Sequence, residues 1–191
     1  IIYTDFIENE RNFPNTIKYV RQYRDKLLER RECKNGVRKW YQLQWGRKSE
    51  VFEAPKIVYP FKSQSNRFAV DNKGYYCSAD VYSLQLKKEF KEMLSLEYTA
   101  AVLNSKLFEF YFKCYAKRIS SSLYDYYPNT VLRLRLIIEE MNPSICQLLQ
   151  RLKKCKNEEE KKQITDSIDR EVYILYGISE RQIKIIENRV L

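Results

Sequence analysis

The segment from residue 96 to residue 116 constrains the fold most, because it is apolar on nearly every side. Its sequence is LEYTAAVLNSKLFEFYFKCYA. Apolar side chains at helical spacing predict one long helix, and a helix without a polar face must be covered by other elements. The sequence therefore predicts a buried helix on which other elements pack.

Several shorter segments have the composition of β-strands. Residues 56–60 and 67–71 are apolar and carry β-branched side chains, and residues 81–87 alternate apolar with polar positions, as a half-buried strand does. Residues 131–137 alternate Leu with Arg, which predicts a further strand with one apolar and one cationic face. Together with the long helix, these segments predict an α+β fold, with a mixed β-sheet and packed helices.

The C-terminal quarter of the chain carries only helical signals. Asn142 is a candidate helix N-cap, Gly177 is placed as a glycine just beyond a helix C-terminus, and Ser179 begins a capping box. The sequence therefore predicts two domains, an α+β domain at residues 1–141 and a helical C-terminal segment at residues 142–191.

Basic residues outnumber acidic residues by 35 to 25, which gives a net charge of +10. Residues 34–76 carry nine Lys and Arg against three Asp and Glu, and residues 106–135 carry six against two. Residues 142–191 are closer to balance, with ten against eight. The two positive blocks predict one basic face that attracts a polyanion. The alternative is an ordinary solvated surface.

The composition also excludes most catalytic sites. The sequence has no His and four Gly, so it offers no Ser–His or Cys–His pair and no Gly-rich phosphate-binding loop. Its five Cys include no CxxC pair, which favours reduced thiols over a disulfide framework or a zinc site. No segment has the length and composition of a membrane span or a signal peptide, which predicts a cytoplasmic protein without a membrane partner. Because the sequence begins with Ile1 rather than Met, we expect it to be part of a longer protein.

Two polar segments inside the positive blocks offer the side chains that DNA recognition uses. Lys and Arg bind phosphates and guanine, Gln and Asn can pair with adenine through two hydrogen bonds, and Ser can bond to either base. Each of these residues alone could equally be part of a solvated loop. The candidate DNA-binding residues of the two segments are Lys62, Ser63, Gln64, Ser65, Asn66 and Arg67, and Lys117, Arg118, Ser120, Ser121 and Ser122.

A third group of candidates lies earlier in the chain. Lys39, Arg47 and Lys48 are interleaved with Trp40, Tyr41 and Trp45, and cations among aromatic residues are typical of a nucleic-acid surface. The alternative is that both Trp residues are core anchors whose basic neighbours extend to solvent.

The order of these segments resembles the TaqI-like C-terminal specificity domain. The resemblance runs from about Trp40 to Leu191 and does not depend on any one motif. It is carried, in chain order, by KWY, FEAPKIVYP, RFAVD, ADVYSL, TAAVLNSKLFEFYF and the ending DREVYILYGISERQIKIIE.

This resemblance implies the target-recognition domain of a type IIG restriction-modification enzyme or of an adenine-specific DNA methyltransferase. Its partners would be double-stranded DNA and a methyltransferase domain upstream in the same chain, which the domain positions on its target. The resemblance implies no activity and no cofactor in this part. S-adenosylmethionine, with Mg²⁺ as a further candidate, would belong to the upstream domains, and whether the parent methylates only or also cleaves DNA stays open. The alternative is a non-catalytic protein-interaction module with an incidental basic surface.

Overall fold

The computed structural model describes residues 2–138 and 140–190; Ile1, Glu139 and Leu191, which fall inside the predicted domains, lie outside the described residues. The chain divides into two compact units, Ile1–Glu53 and Ala54–Leu191. We call them the N-terminal unit and the main unit and describe each by itself.

The N-terminal unit consists of short helical segments around a small core. Ile7, Ile17 and Tyr41 are buried together, and Trp40 packs against them. The elements are a 3-10 turn at Glu10–Asn12, α1 at Pro14–Arg21, α2 at Arg24–Leu28, α3 at Arg31–Lys34 and α4 at Ser49–Glu53.

The main unit contains two small β-sheets and the longer helices. Its strands are β1 at Lys56–Pro60, β2 at Lys62–Ser63, β3 at Ala69–Asp71, β4 at Val81–Leu84 and β5 at Tyr124–Asp125. One sheet has the order β3-β1-β4, and the other pairs β2 with β5. Every pairing that the structure describes is antiparallel. The α+β class is therefore confirmed, while the predicted mixed sheet is wrong.

The helices of the main unit surround a single apolar core. Buried side chains from β1, such as Ile57 and Tyr59, meet Phe112 and Val172 in this core. The helical elements are a 3-10 turn at Lys88–Phe90, α5 at Leu96–Asn104, α6 at Lys106–Tyr115, α7 at Pro128–Val131, α8 at Pro143–Lys154, α9 at Glu158–Leu175 and α10 at Glu180–Val190.

The apolar segment 96–116 is buried as predicted, but it forms two helices instead of one. Ser105 has extended backbone angles, φ −64° and ψ 154°, and separates α5 from α6. Its hydroxyl oxygen accepts a hydrogen bond from the backbone N–H of Phe108, which caps the new helix. The hydrophobic pattern could not reveal this break, because the apolar side chains continue across it.

The predicted strand at residues 131–137 is wrong. Pro128 occupies the first turn of α7, which ends at Val131, and residues 134–138 then run without regular structure. The alternation is nevertheless real, since Leu134 and Leu136 pack against the core and Arg135 is exposed. An extended segment that lays alternate leucines on a core produces the same pattern as a strand, without a partner strand.

The three helix-end signals predicted in the C-terminal segment are confirmed. The Asn142 side chain accepts from the N–H of Ile145 at 3.1 Å, and Gly177 has φ +63°, where glycine is favoured. Ser179 and Gln182 form the capping-box contact. These helices contribute buried side chains to the core of the main unit. The division between residues 141 and 142 stays a prediction.

Lys106 joins three helices of the main unit at one point. Its Nζ lies 3.1 Å from Asp166 Oδ1, 3.5 Å from Asp169 Oδ2 and 3.7 Å from Glu187 Oε1. Its backbone N–H also donates to Asp169 Oδ1 at 2.9 Å. Burial opposes the charged form of Lys106, but the hydrogen bond to Asp166 and the neighbouring carboxylates outweigh it and raise the pKa of Lys106. Asp169 is a carboxylic acid, so burial has the opposite effect there and raises its pKa.

Replacing Lys106 by methionine is expected to lower the free energy of unfolding by about 1–3 kcal/mol, because buried Asp169 loses a donor. Urea unfolding at pH 7 measures the change. Lys161→Met is the matched control, since Lys161 pairs with Glu158 at the surface and should contribute little. Equal losses in the two variants would contradict a stabilising role for this cluster.

The same cluster predicts a loss of stability at alkaline pH. A lysine whose pKa is raised on folding contributes stability below its ordinary value of 10.5, and this contribution is lost as the pH rises through the raised value. The difference in the free energy of unfolding between the unmodified chain and the Lys106→Met variant should therefore shrink above pH 10.5.

Candidate nucleic-acid interface

The two polar segments predicted to bind DNA lie side by side in the structure. β2 pairs with β5, with Lys62 opposite Asp125 and Ser63 opposite Tyr124. On the other side of β5, the N–H of Asp125 donates to the Lys117 carbonyl at 3.0 Å, and Arg118 forms a β-bridge with Tyr124. Residues 117–125 are thus a hairpin, and β5 is its inner strand. Strand pairing places segment 61–67 directly beside hairpin 117–125.

The tip of hairpin 117–125 is held by its own backbone and by Arg118. The N–H of Ile119 donates to the Leu123 carbonyl at 2.8 Å. The Arg118 guanidinium donates to the carbonyl oxygens of Ser120 and Ser121. Arg118 therefore orders the tip, where Ser120, Ser121 and the following Ser122 are exposed.

One row across these strands places two lysines around a carboxylate. Lys62 and Lys117 lie opposite Asp125 on its two sides, and directly opposite residues of an antiparallel sheet project on one face. Both lysines are exposed. Asp125 Oδ1 is buried, and no donor among the described residues reaches it. The sequence did not predict a role for Asp125, because only the strand register places it between the two lysines.

Asn66 lies inside the fold, although it was predicted to contact a base. It is 8% exposed. Its Nδ2 donates to the Leu103 carbonyl at 2.6 Å, and its Oδ1 accepts from the Tyr126 hydroxyl at 2.9 Å. Its backbone N–H donates to Glu109 Oε2 at 3.2 Å. With both ends of its amide engaged in the fold, Asn66 positions segment 61–67.

The network around Asn66 continues into α6. Glu109 Oε1 accepts from Lys113 at 2.5 Å, and the Lys113 ammonium lies 5.7 Å from the Tyr124 ring centre. The ring of Tyr126 stacks on Phe112 with 4.2 Å between centres. Burial raises the pKa of Tyr126, which keeps its hydroxyl a hydrogen-bond donor. Both polar segments are therefore held against α6.

The other predicted residues of segment 61–67 differ in accessibility. Ser63 is buried and its hydroxyl accepts from the N–H of Ser65, which is partly buried. The predicted residues that remain exposed on the two segments are Lys62, Gln64, Arg67, Lys117, Arg118, Ser120, Ser121 and Ser122.

Lys39, Arg47 and Lys48 belong to the N-terminal unit. Lys39 is exposed and donates to the Glu8 carbonyl, and Lys48 is exposed at the start of α4. Arg47 is partly buried, with its guanidinium 5.9 Å from the Phe52 ring centre.

The aromatic residues among these cations divide between the two interpretations. Trp40 and Tyr41 pack in the small core, as the core-anchor alternative predicted. Trp45 is 71% exposed, which fits a binding surface and not an anchor.

Three aromatic rings, one from segment 61–67 and two beside it, were missed by the sequence reasoning. Phe61, Tyr82 and Tyr127 contact one another, with 5.2 Å, 6.0 Å and 5.9 Å between ring centres. Tyr127 is 48% exposed. We call these three residues the aromatic platform. Their positions in the sequence give no sign of the cluster, because Phe61 follows β1, Tyr82 lies in β4 and Tyr127 lies between β5 and α7.

No group of three His, Cys, Asp or Glu side chains in residues 2–138 and 140–190 could hold a metal ion. Within the same part of the chain, no helix is long and apolar enough to cross a membrane.

The sequence pattern of a known family matches this chain. The TaqI-like C-terminal specificity domain matches residues 5–134, which is more than half of the sequence. The chain therefore belongs to this family, a class of non-catalytic specificity domains of restriction-modification enzymes with a role in DNA recognition. The match includes both polar segments and the aromatic platform. It starts earlier than the predicted resemblance and ends before α8, so the likeness seen in residues 169–187 stays a prediction.

Proposed function

We propose that the chain recognises a specific sequence in double-stranded DNA and holds a catalytic domain of the same protein on that site. The observation that carries the proposal is the pairing of β2 with β5, which joins two basic polar segments into one surface. Lysines on that surface would bind phosphates, and exposed Gln64 and Arg67 would contact base edges.

The family supports the second part of the proposal. A domain described as a C-terminal specificity domain implies a partner domain ahead of it in the chain. We propose that this partner is an adenine-specific DNA methyltransferase of the type IIG or a related class, acting in the cytoplasm. It would bind S-adenosylmethionine, and Mg²⁺ where the parent also cleaves DNA.

A triple variant should bind the duplex more weakly and with less salt dependence. It carries Lys62→Ala, Arg67→Ala and Lys117→Ala. The expected change in the slope of log K against log salt is about 2–3, because each phosphate contact contributes about 0.9. Fluorescence anisotropy with one labelled duplex measures this slope between about 50 and 200 mM salt, a range over which phosphate contacts weaken strongly. The matched control is Lys154→Ala, Lys156→Ala and Lys162→Ala, which removes the same charge from exposed positions in α8, in α9 and in the connection between them.

If both triple variants lose affinity equally, net charge and not this surface governs binding. If the parent protein shows no salt-dependent duplex binding at all, the proposed function is wrong. A protein-interaction module is then favoured, and size-exclusion mass at several concentrations tests it.

Gln64→Ala should relax sequence preference without destabilising the fold, because Gln64 is exposed. The expected cost against the preferred site is about 1–3 kcal/mol, with little change for unrelated duplexes. Selection from a random duplex pool with the unmodified protein first defines the preferred site. Lys117→Ala is the comparison, since loss of a phosphate contact should weaken all duplexes alike. Equal losses of Gln64→Ala on preferred and unrelated duplexes would exclude base contact.

A further inference from the structure

The aromatic platform is built on backbone segments that are fixed to one another. The N–H of Phe61 donates to the Asp80 carbonyl at 2.7 Å, just before β4, and the N–H of Tyr126 donates to the Phe61 carbonyl at 2.9 Å. Pro128 follows Tyr127 and occupies the first turn of α7. The rings are therefore held by rigid backbone and not by a mobile loop.

The rings run from the edge of the core to solvent, and Tyr82 packs against the core. Phe61 and Tyr82 are partly exposed, and Tyr127 projects farther into solvent. Phe61 and Tyr127 meet edge to face at an interplanar angle of 88°. A large aromatic ring left exposed on a rigid support costs solvation free energy, and this cost is offset if a flat apolar ligand covers it.

The charge beside the platform indicates what that ligand is. The Lys62 ammonium lies 4.7 Å from the Phe61 ring centre, and Lys62 shares its row with Lys117. Aromatic faces combined with cations form the pattern on which nucleobases stack while the backbone phosphates are neutralised. The platform is also continuous with segment 61–67, the proposed duplex-contacting surface.

We propose that Tyr127 stacks on a nucleobase that has left the regular stack of the duplex, at the position next to the base edges contacted by segment 61–67. This inference rests on the proposed function and specifies how the surface holds DNA. Insertion of an apolar side chain beside a base requires a partly opened step, so the contact should be strongest where a base is already unpaired.

Two probes of one sequence test this contact, a fully paired 20-base-pair duplex and the same duplex with one extrahelical thymine. The unmodified chain should bind the second duplex more tightly. Tyr127→Ala should lose about 5- to 100-fold in affinity for it, the range found when a stacked aromatic is truncated. Tyr127→Phe should keep the preference, since the ring remains.

Tyr75→Ala is the matched control, because Tyr75 is an exposed tyrosine of the connection between β3 and β4. Circular dichroism of each variant checks that the fold is retained. If the chain binds both duplexes and Tyr127→Ala resembles Tyr75→Ala, the stacking inference is overturned while the proposed function stands, and the platform is left as a protein contact. If the chain binds neither duplex, the proposed function fails and the inference fails with it.

Discussion

Replacing Lys56 by methionine is expected to destabilise the main unit by about 3–5 kcal/mol, because it leaves a buried carboxylate without its cation. The Lys56 Nζ lies 2.5 Å from Asp71 Oδ2, and the two side chains are 1% and 5% exposed. The pair links β1 to β3 at the end of the hairpin that carries segment 61–67. Urea unfolding at pH 7 measures the loss.

The double variant with Lys56→Met and Asp71→Asn should recover part of that stability. The N–H groups of Lys73 and Tyr75 donate to Oδ1 and Oδ2 of Asp71, so an uncharged asparagine keeps one of these two hydrogen bonds through its single oxygen. Replacing a buried ion pair by uncharged groups is often close to neutral, whereas removing one partner is costly. Lys91→Met, at an exposed position, is the control for loss of a lysine. A double variant no more stable than the single one would show that packing, and not charge, is lost.

Acidity gives a second measurement on the same pair. Burial opposes ionisation of Asp71, but the hydrogen bonds from Lys56, Lys73 and Tyr75 outweigh it and hold the pKa of Asp71 below its ordinary value of 3.8. A carboxylate with a lowered pKa contributes stability above that ordinary value and loses it as the pH falls through the folded value. The unmodified chain should therefore keep the stability contributed by Asp71 down to about pH 4. In Lys56→Met, burial without the lysine should raise the pKa of Asp71, so this carboxylate is protonated as the pH falls. The loss of stability in the variant should therefore diminish at acidic pH.

The sequence predicted those parts of the fold that local chemistry determines. β1 has the predicted bounds, α8 begins after the capping side chain of Asn142, and Gly177 follows the end of α9. These features depend on residues close together in the chain. The break at Ser105 and the irregular segment after α7 depend on contacts with distant elements, such as Asp169 at the start of α6 and the Tyr176 hydroxyl at the N–H of Ile137. A one-dimensional pattern does not contain those contacts.

The candidate site shows the same limit at the level of single residues. Composition and charge indicated two candidate segments, and strand pairing brings them together. Within segment 61–67, however, the sequence could not distinguish Gln64 from Asn66, which are both amides with the same capacity to pair with adenine. Their difference is burial, and burial is set by Leu103 and Tyr126, residues far away in the chain. The aromatic platform escaped prediction for the same reason.

Replacing Asn66 by alanine is expected to destabilise the main unit by about 2–4 kcal/mol, because it leaves two buried polar groups without a partner. These groups are the Leu103 carbonyl and the Tyr126 hydroxyl. Thermal or urea unfolding measures the loss. Gln64→Ala is the matched control, since the same side-chain truncation at a neighbouring exposed amide should change stability by less than about 0.5 kcal/mol.

The effect of Asn66 on DNA should then differ in kind from that of Gln64. Displacing segment 61–67 moves every contact it makes, so Asn66→Ala should weaken preferred and unrelated duplexes alike. Tyr126→Phe removes one end of the same hydrogen bond, and the double variant should lose less than the sum of the single losses, as expected for directly interacting residues. If Asn66→Ala instead leaves stability unchanged and abolishes preference for one base pair, Asn66 turns outward on DNA and contacts the base itself. The pair of amides therefore tests whether the hydrogen bonds that bury Asn66 are what hold the exposed surface in place.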